Sequence, residues 1–551
     1  MLKSVVIAAV AVGIVSNSFA TVPRLAVAIS IDQFRADYLV RFRPYFGPGG
    51  FNKLLEGADY QECHHRHAIT KTAPGHAAML SGVYANTSGI VGNDWLDRGT
   101  WQTMNAVEDP DSPIVGGART APHSPGGLLE RKSGRSPRNF LATTVGDQLK
   151  LRFGAGSRVV AVSNKDRAAI LMGGKLADGA YWMEAGRFVT SRYYGELLPS
   201  WVRDFDAQGR GPGYFGKTWD RLLPAADYEF TQGPDDVAGE SLRFGLSRTF
   251  PQKIDGGHPD LRASFWDAFD ASPFATDVLN EFALAALRQE RLGLHPHPDL
   301  FCISYSQIDF VGHEFGPDSQ ELMDCVIRLD REIARLLAAV ELQVGKGNYV
   351  VVLTADHGAA PLPEKLVSLG RGLVAARFHG AALDKAVAAA LDSAFGPVPA
   401  NDFWVTRDNF GYSFHPSALR AKGVSVAAAA AVIKPVILQS PEIARVFTGP
   451  ELAEADPLTD SVLDMSRRSY FPGRSVDVAY ILKPYVMDRD RFGINHGTPW
   501  DYDTHVPLVW YGAGVPAGVH PEPVAVEDLA PTLAALLQVP RPPQAKGRRL
   551  F

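Results

Sequence analysis

Apolar runs that stop abruptly at acids, amides or hydroxyls constrain this chain more than any other feature. Leu25 to Ile31 ends at Asp32, and Arg158 to Val162 ends at Ser163-Asn164-Lys165. Leu300 to Tyr305 stops shortly before Asp309, Tyr349 to Thr354 stops at Ala355-Asp356-His357, and Val506 to Trp510 is a further run. None alternates polar with apolar residues. Such runs form strands buried on both faces, as in a parallel sheet covered by helices. Helical patterns lie between them. Asp318 to Val340 sets Leu322, Cys325, Val326, Leu329, Ile333, Leu336, Leu337 and Val340 on one face, with Asp318-Ser319 able to cap its start. Asp528 to Leu537 is a second such segment. The alternation predicts an α/β fold with a mostly parallel central sheet flanked by helices. Ligands of such sheets bind beyond the carboxyl ends of the strands. The polar residues at the ends of the runs are therefore expected to converge on one site.

Two stretches interrupt the pattern. Residues 170–295 are rich in Trp, Tyr, Phe and Gly and lack a strong period. Residues 361–475 contain two Ala-rich helical patches, Ala382 to Ala394 and Ala427 to Ala431. Both read as insertions, expected to form a crown over the site. The N-terminus reads as a signal peptide over residues 1–20, leaving 21–551 as the folded chain. Lys3 is its positive region, Val5 to Val15 its apolar core, and Ser18-Phe19-Ala20 its cleavage signal. The apolar core is shorter than the ~20 residues that span a bilayer, so export to the periplasm is expected and not a stable membrane anchor. A net charge of -5 offers no basic excess for a nucleic-acid partner. Cys63, Cys302 and Cys325 allow at most one disulfide, and the sequence leaves open whether any of them pair. Cys302 and Cys325 read as small buried side chains, and without a CxxC pair thiolate zinc binding is excluded.

Asp32, Asp309 with His313, Asp356 with His357, and the later His496 are the acids and histidines nearest the ends of the runs. Singly, each is an ordinary turn or cap residue. Together they are oxygen and nitrogen ligands of the kind zinc takes, in number enough for two ions. The four-residue spacing of Asp309 and His313 puts both on one face of a helical turn. Asp356 and His357 either clamp one ion or point to two. Thr72, in Thr70-Lys71-Thr72-Ala73-Pro74-Gly75-His76, falls just before a helix that Pro74 opens. Free N–H groups there favour an anion, and a hydroxyl beside a metal is a nucleophile. The plainer role for Thr72 is an N-cap.

In order along the chain, Asp32, Thr72-Ala73-Pro74-Gly75-His76, Asn93, Asp309 with His313, Asp356-His357-Gly358, His496-Gly497 and Tyr502-Asp503-Thr504-His505 resemble the alkaline phosphatase superfamily. Within it the type I phosphodiesterase/nucleotide pyrophosphatase group is most similar, from about residue 24 to the C-terminus. The resemblance implies an alkaline phosphatase-like fold, two zinc ions and a phosphothreonine intermediate. It implies one zinc at Asp309, His313 and His496, and another at Asp32, Thr72, Asp356 and His357. Lys165 and Arg167 resemble the cationic pair of periplasmic, phosphate-irrepressible alkaline phosphatases that use a threonine. A monoester dianion suits such a pair, because Arg can fork onto two oxygens and Lys adds a point charge. Asn93 would donate its amide to a phosphate oxygen.

The reading is therefore an exported zinc enzyme that hydrolyses small-molecule phosphate monoesters. A phosphodiesterase/nucleotide pyrophosphatase or phosphonate hydrolase on the same two metals is the alternative, and a phosphate- or metal-binding protein without turnover is the rival outside enzymes. A sulfatase would need Cys or Ser at Thr72 and Arg at His76. No motif supports a third, magnesium site. His64, His65 and His67 read as a strand packed beside the site, and His505 as the head of an apolar run.

Overall fold

The apolar runs are strands, and they lie side by side. Leu25–Ile31 pairs in parallel with Asp299–Tyr305 on one edge and Tyr349–Thr354 on the other. Val159–Ser163 pairs in parallel with Asp299–Tyr305, and Gly179–Glu184 with Val159–Ser163. Every residue of the four innermost strands is buried, as expected of strands covered on both faces. The computed structural model describes residues 22–117, 134–370, 375–399, 402–454, 460–489 and 491–551. The signal peptide expected over residues 1–20 lies outside the described residues.

The whole sheet has ten strands and is mixed. Its centre is parallel, and antiparallel pairs stand on both sides of it. Leu508–Gly512 runs antiparallel to Tyr349–Thr354, and Arg187–Ser191 runs antiparallel to Gly179–Glu184. An apolar run records burial but not direction, so the antiparallel course of the last run was not visible in its residues.

Helix Gln320–Val344 covers one face of the sheet with the expected apolar stripe, all of it buried. Its cap is Ser319, whose Oγ accepts from Leu322 N–H at 3.1 Å. Leu529–Leu536 is the second expected helix. Part of the first aromatic-rich stretch belongs to the sheet layer. Its hairpin Gly179–Glu184 and Arg187–Ser191 extends the sheet, and its helix Pro273–Gln289 packs on Gln320–Val344. Between them stand short helices such as Ser200–Asp206 and Ala225–Gln232.

The second stretch supplies three strands of a separate four-stranded sheet, ordered Val405–Asp408, Gly411–Phe414, Val478–Leu482 and Ile443–Thr448, and Val478–Leu482 carries this unit past the expected boundary at residue 475. Helices Gly380–Phe395 and Val426–Leu438 contain the Ala-rich patches and pack over it. Phe378, Val387, Leu391, Tyr412, Ile433 and Tyr480 form its separate core. All three cysteines are buried free thiols. Among the described residues no single helix is long and apolar enough to cross a membrane.

Candidate active site

The polar residues at the strand ends meet in two adjoining groups. Asp309 and His313 lie on helix Gln307–Phe315, which follows strand Asp299–Tyr305 directly. The expected one-face spacing puts His313 Nε2 at 3.1 Å from Asp309 Oδ1. His496 comes from a distant loop and places its Nε2 at 3.5 Å from the same oxygen. Asp32, Asp356 and His357 form the second group. His357 Nε2 stands 3.4 Å from Asp32 Oδ1 and 3.5 Å from Asp356 Oδ2, so the adjacent pair serves one group. The His357 and His496 rings stack at 3.6 Å, making the two groups neighbours.

The imidazole tautomers test whether these residues fit metal ions. His313 Nδ1 faces the Ile494 carbonyl at 2.9 Å, His357 Nδ1 faces the Gly358 carbonyl at 2.9 Å, and His496 Nδ1 faces the Thr70 carbonyl at 2.8 Å. A carbonyl only accepts, so each Nδ1 carries the proton and each Nε2 presents a lone pair in the neutral ring. Those lone pairs point at carboxylate oxygens. Asp32 Oδ1, Asp356 Oδ2 and His357 Nε2 are buried with no hydrogen-bond partner in the chain. Electron-rich atoms facing one another in a buried pocket demand cations between them, and backbone-anchored imidazoles are the usual metal-ligand arrangement. The donor set fits zinc or a similar divalent ion.

The electrostatics agree. Burial pushes the Asp32 carboxyl well up, and the charges of Asp309 and Asp356 add to this. Burial opposes ionisation of Asp309 and Asp356 too. Asp309, beside the Lys165 ammonium, nevertheless lies well below the usual carboxylate range, and Asp356 lies below it too. Burial lowers His357 and His496, keeping both rings neutral.

Lys165 follows its strand and reaches the acids at the strand ends. Its Nζ lies 2.7 Å from Asp32 Oδ2 and 2.5 Å from Asp309 Oδ2, so it bridges the two groups. Two buried carboxylates attract an ammonium more strongly than open solvent does. Arg167 keeps a buried Nε without a partner, and its Nη1 is 3.7 Å from Asp166.

Helix Thr72–Ser81 begins at Thr72 itself, two residues before Pro74, and Lys71 occupies the cap position. The first four N–H groups of any helix lack intrahelical partners, so proline is as free at the third position as at the first. Thr72 is thus not the N-cap, and the side chain of Lys71 at the cap position makes no capping bond. Ala73 N–H donates to Asn93 Oδ1 at 2.8 Å. This fixes the orientation of the Asn93 amide and leaves Nδ2 as its free donor. A Cβ on Gly75 would lie 2.2 Å from the Asp356 carbonyl oxygen. Only glycine lets the helix start press against the second donor group.

Three further residues act here. Gln33, at φ 63°, donates its N–H to Asp356 at 3.1 Å and its side-chain amide to Asp309 at 2.8 Å, tying the groups together. Its only sequence signal was its place after Asp32. His76 Nδ1 lies 2.9 Å from the Thr72 carbonyl and 3.2 Å from Asp356 Oδ2, while Nε2 meets Ser304 Oγ at 2.9 Å. With both nitrogens engaged it orients ligands and is not one. Asp503, whose carboxyl burial pushes up to about 7, accepts from Gly497 and Thr498 beside His496. His65 and His67 pack beside the site, and His64 pairs across two chains of backbone with His505.

A parallel-centred α/β sheet with paired carboxylate–imidazole groups beyond its strand ends, next to a helix-start hydroxyl, defines a metal-dependent enzyme centre. The chain belongs to the type I phosphodiesterase/nucleotide pyrophosphatase family, whose description matches residues 26–401. It is 32% identical to alkaline phosphatase PhoV of Synechococcus elongatus over 96% of this chain and 92% of that one. It is equally identical to alkaline phosphatase PafA of Elizabethkingia meningoseptica, over 96% and 93%. A Myroides odoratus protein named calcium-transporting ATPase is also 32% identical, over 94% and 92%. The crystal structure of wild-type PafA superimposes with a TM-score of 0.85 at 30% identity, covering 96% of this chain and 98% of that one.

Proposed function

We propose that this protein is an alkaline phosphatase, a zinc-dependent hydrolase of small-molecule phosphate monoesters acting through a phosphothreonine at Thr72. The observation that carries it is the pair of adjoining groups, Asp309, His313, His496 and Asp32, Asp356, His357, each with Nδ1-anchored imidazoles. The alkaline phosphatases PhoV and PafA, alike over nearly the whole chain, support the substrate class. Two zinc ions, when bound, would supply positive charge that favours the ionised forms of a hydroxyl and a water and offsets charge on a leaving oxygen.

The chain's own residues do the rest. Thr72 Oγ1 attacks phosphorus as the ester oxygen departs, and a water then releases phosphate from the threonine. Asn93 Nδ2 donates to a phosphoryl oxygen, its other end held by Ala73 N–H. Arg167 and Lys165 supply the cationic charge that a dianion requires. Gln33 and His76 orient the carboxylates. We further propose export through residues 1–20, with residues 170–295 and 361–475 shaping the rim of the cleft.

A phosphodiesterase, nucleotide pyrophosphatase or phosphonate hydrolase on the same residues is the second reading, supported by the family match over residues 26–401. The two readings separate in the double variant Lys165→Ala/Arg167→Ala, assayed zinc-replete with p-nitrophenyl phosphate and its bis-ester, with and without chelator. Monoesterase selectivity predicts that monoester kcat/KM falls by about 10²-fold or more and diester turnover falls much less. Equal losses on both substrates would favour the diesterase reading.

A further inference from the structure

The hairpin that joins Val405–Asp408 to Gly411–Phe414 ends in two residues, Asn409 and Phe410, with φ of 43° and 59°. Two consecutive positive values define the tight hairpin turn that prefers Asn then Gly. Asn suits the first place. Phe at the second is strained, because a Cβ disfavours this backbone. The strained tip belongs to the second sheet, and Phe410 packs in that sheet's core with Tyr480, yet the tip also meets the chain around the site.

It touches the chain beside three of the candidate site residues. Lys71, which precedes Thr72, donates from Nζ to Asn409 Oδ1 at 2.9 Å. Asn409 Nδ2 donates to the carbonyl of Asp94, which follows Asn93, at 2.6 Å, and to Asp408 Oδ2 at 3.1 Å. A Cβ on Gly92, on the other side of Asn93, would lie 2.9 Å from the Asn409 amide. The Asn409 side chain therefore straddles Asn93. Phe410 is buried, and its ring edge would lie 3.0 Å from a Cβ on Gly497, the residue after His496. Lys71 Nζ stands 5.4 Å from the centre of the same ring.

We propose that the Asn409-Phe410 tip is a positioning element of the second unit that holds Thr72, Asn93 and His496 in register from behind. The Asn409 amide spans Lys71 and Asp94, so it sets the distance between the nucleophile's helix start and the Asn93 donor. Phe is retained at this strained position because its ring packs both in the second core and against Gly497, and Gly would relax the turn but release both contacts. The inference rests on the reading of Thr72 and Asn93 as reacting residues.

The test is a double-mutant cycle on the full-length, zinc-replete enzyme with p-nitrophenyl phosphate. Asn409→Gly suits the turn backbone and removes only the amide. It is expected to lower kcat by about ten- to a hundredfold, the scale of a small misplacement, with zinc content and melting temperature unchanged. In an Asn93→Ala background the same substitution should cost about twofold or less, because the donor it places is gone. Equal factors in both backgrounds, or an unchanged kcat, would overturn the inference. Should Asn409→Gly fail to fold, Lys71→Met, which keeps the stem and removes the ammonium, must show the same non-additivity with Asn93→Ala. A wild-type enzyme without ester turnover would instead refute the proposed function. The inference is then read from the crystal structure of Asn409→Gly: the Ala73–Asn93 hydrogen bond must open, and an unmoved bond overturns it.

Discussion

A threonine hydroxyl is a weak nucleophile at neutral pH, so at the scale of single residues the surroundings of Thr72 decide what it can do. It opens a helix whose cap residue, Lys71, makes no side-chain capping bond. Its carbonyl is held by His76, and its neighbour's N–H fixes Asn93. If Thr72 is the attacking group, Thr72→Ala should lose about 10³-fold or more in kcat/KM, while Thr72→Ser keeps most of it. Both variants should retain their metal, since the carboxylate and imidazole donors remain. Near-normal turnover by the alanine variant would mean that water attacks phosphorus directly. The acids and histidines of this site were legible from residue type and from their position after apolar runs. The parts that were not legible are those made by contact. Gln33 bridges the two donor groups because its positive φ turns it inward, and nothing in the string around it records that turn.

At the scale of elements, close approach between backbones sets the geometry. Helix Thr72–Ser81 can reach Asp356 only because position 75 lacks a side chain. Gly75→Ala would place a methyl 2.2 Å from the Asp356 carbonyl oxygen, and neither backbone is free to yield. The expected outcome is a loss of about 1–3 kcal/mol in urea unfolding together with a clear fall in kcat, since Thr72 and Asp356 are pushed apart. An unchanged kcat would show that the helix start is not registered against that strand end. Element existence was legible for Leu25–Ile31 and Tyr349–Thr354, whose ends agree with the apolar runs. The helix starts at Thr72 itself and not just after it, because proline can occupy any of the first helical positions. The direction of Leu508–Gly512 was invisible, because burial has no polarity.

At the scale of the whole molecule, buried acids give the fold a pH dependence of its own. Glu321 is pushed up to about 8, chiefly by burial and then by the charge of Asp235. One of its oxygens accepts from Gln252 at 2.9 Å, and the other has no partner. Glu240 is pushed up to about 9, again chiefly by burial, with Glu321 adding to it. Unfolded, such groups ionise near 4.5; folded, they hold their protons until about pH 8. Over that interval the folded state binds more protons, so these groups make stability fall as pH rises from about 5 to 8. Glu321→Gln has no proton to lose. Its unfolding free energy, followed by urea titration at pH 5 and pH 9, should decline less with pH than that of the wild type. An equal or steeper decline would show that Glu321 ionises normally in the fold.

The covalent step is the central claim, and one measurement reaches it directly. Zinc-replete enzyme is mixed with ³²P-labelled p-nitrophenyl phosphate, quenched in acid within a single turnover, digested, and its labelled peptide sequenced. The account predicts acid-stable label carried as phosphothreonine at Thr72, rising toward one equivalent at the pH where phosphate release is the slower step. Label on any other residue, or no protein-bound phosphate across the pH range when phosphate release is the slower step, would contradict it.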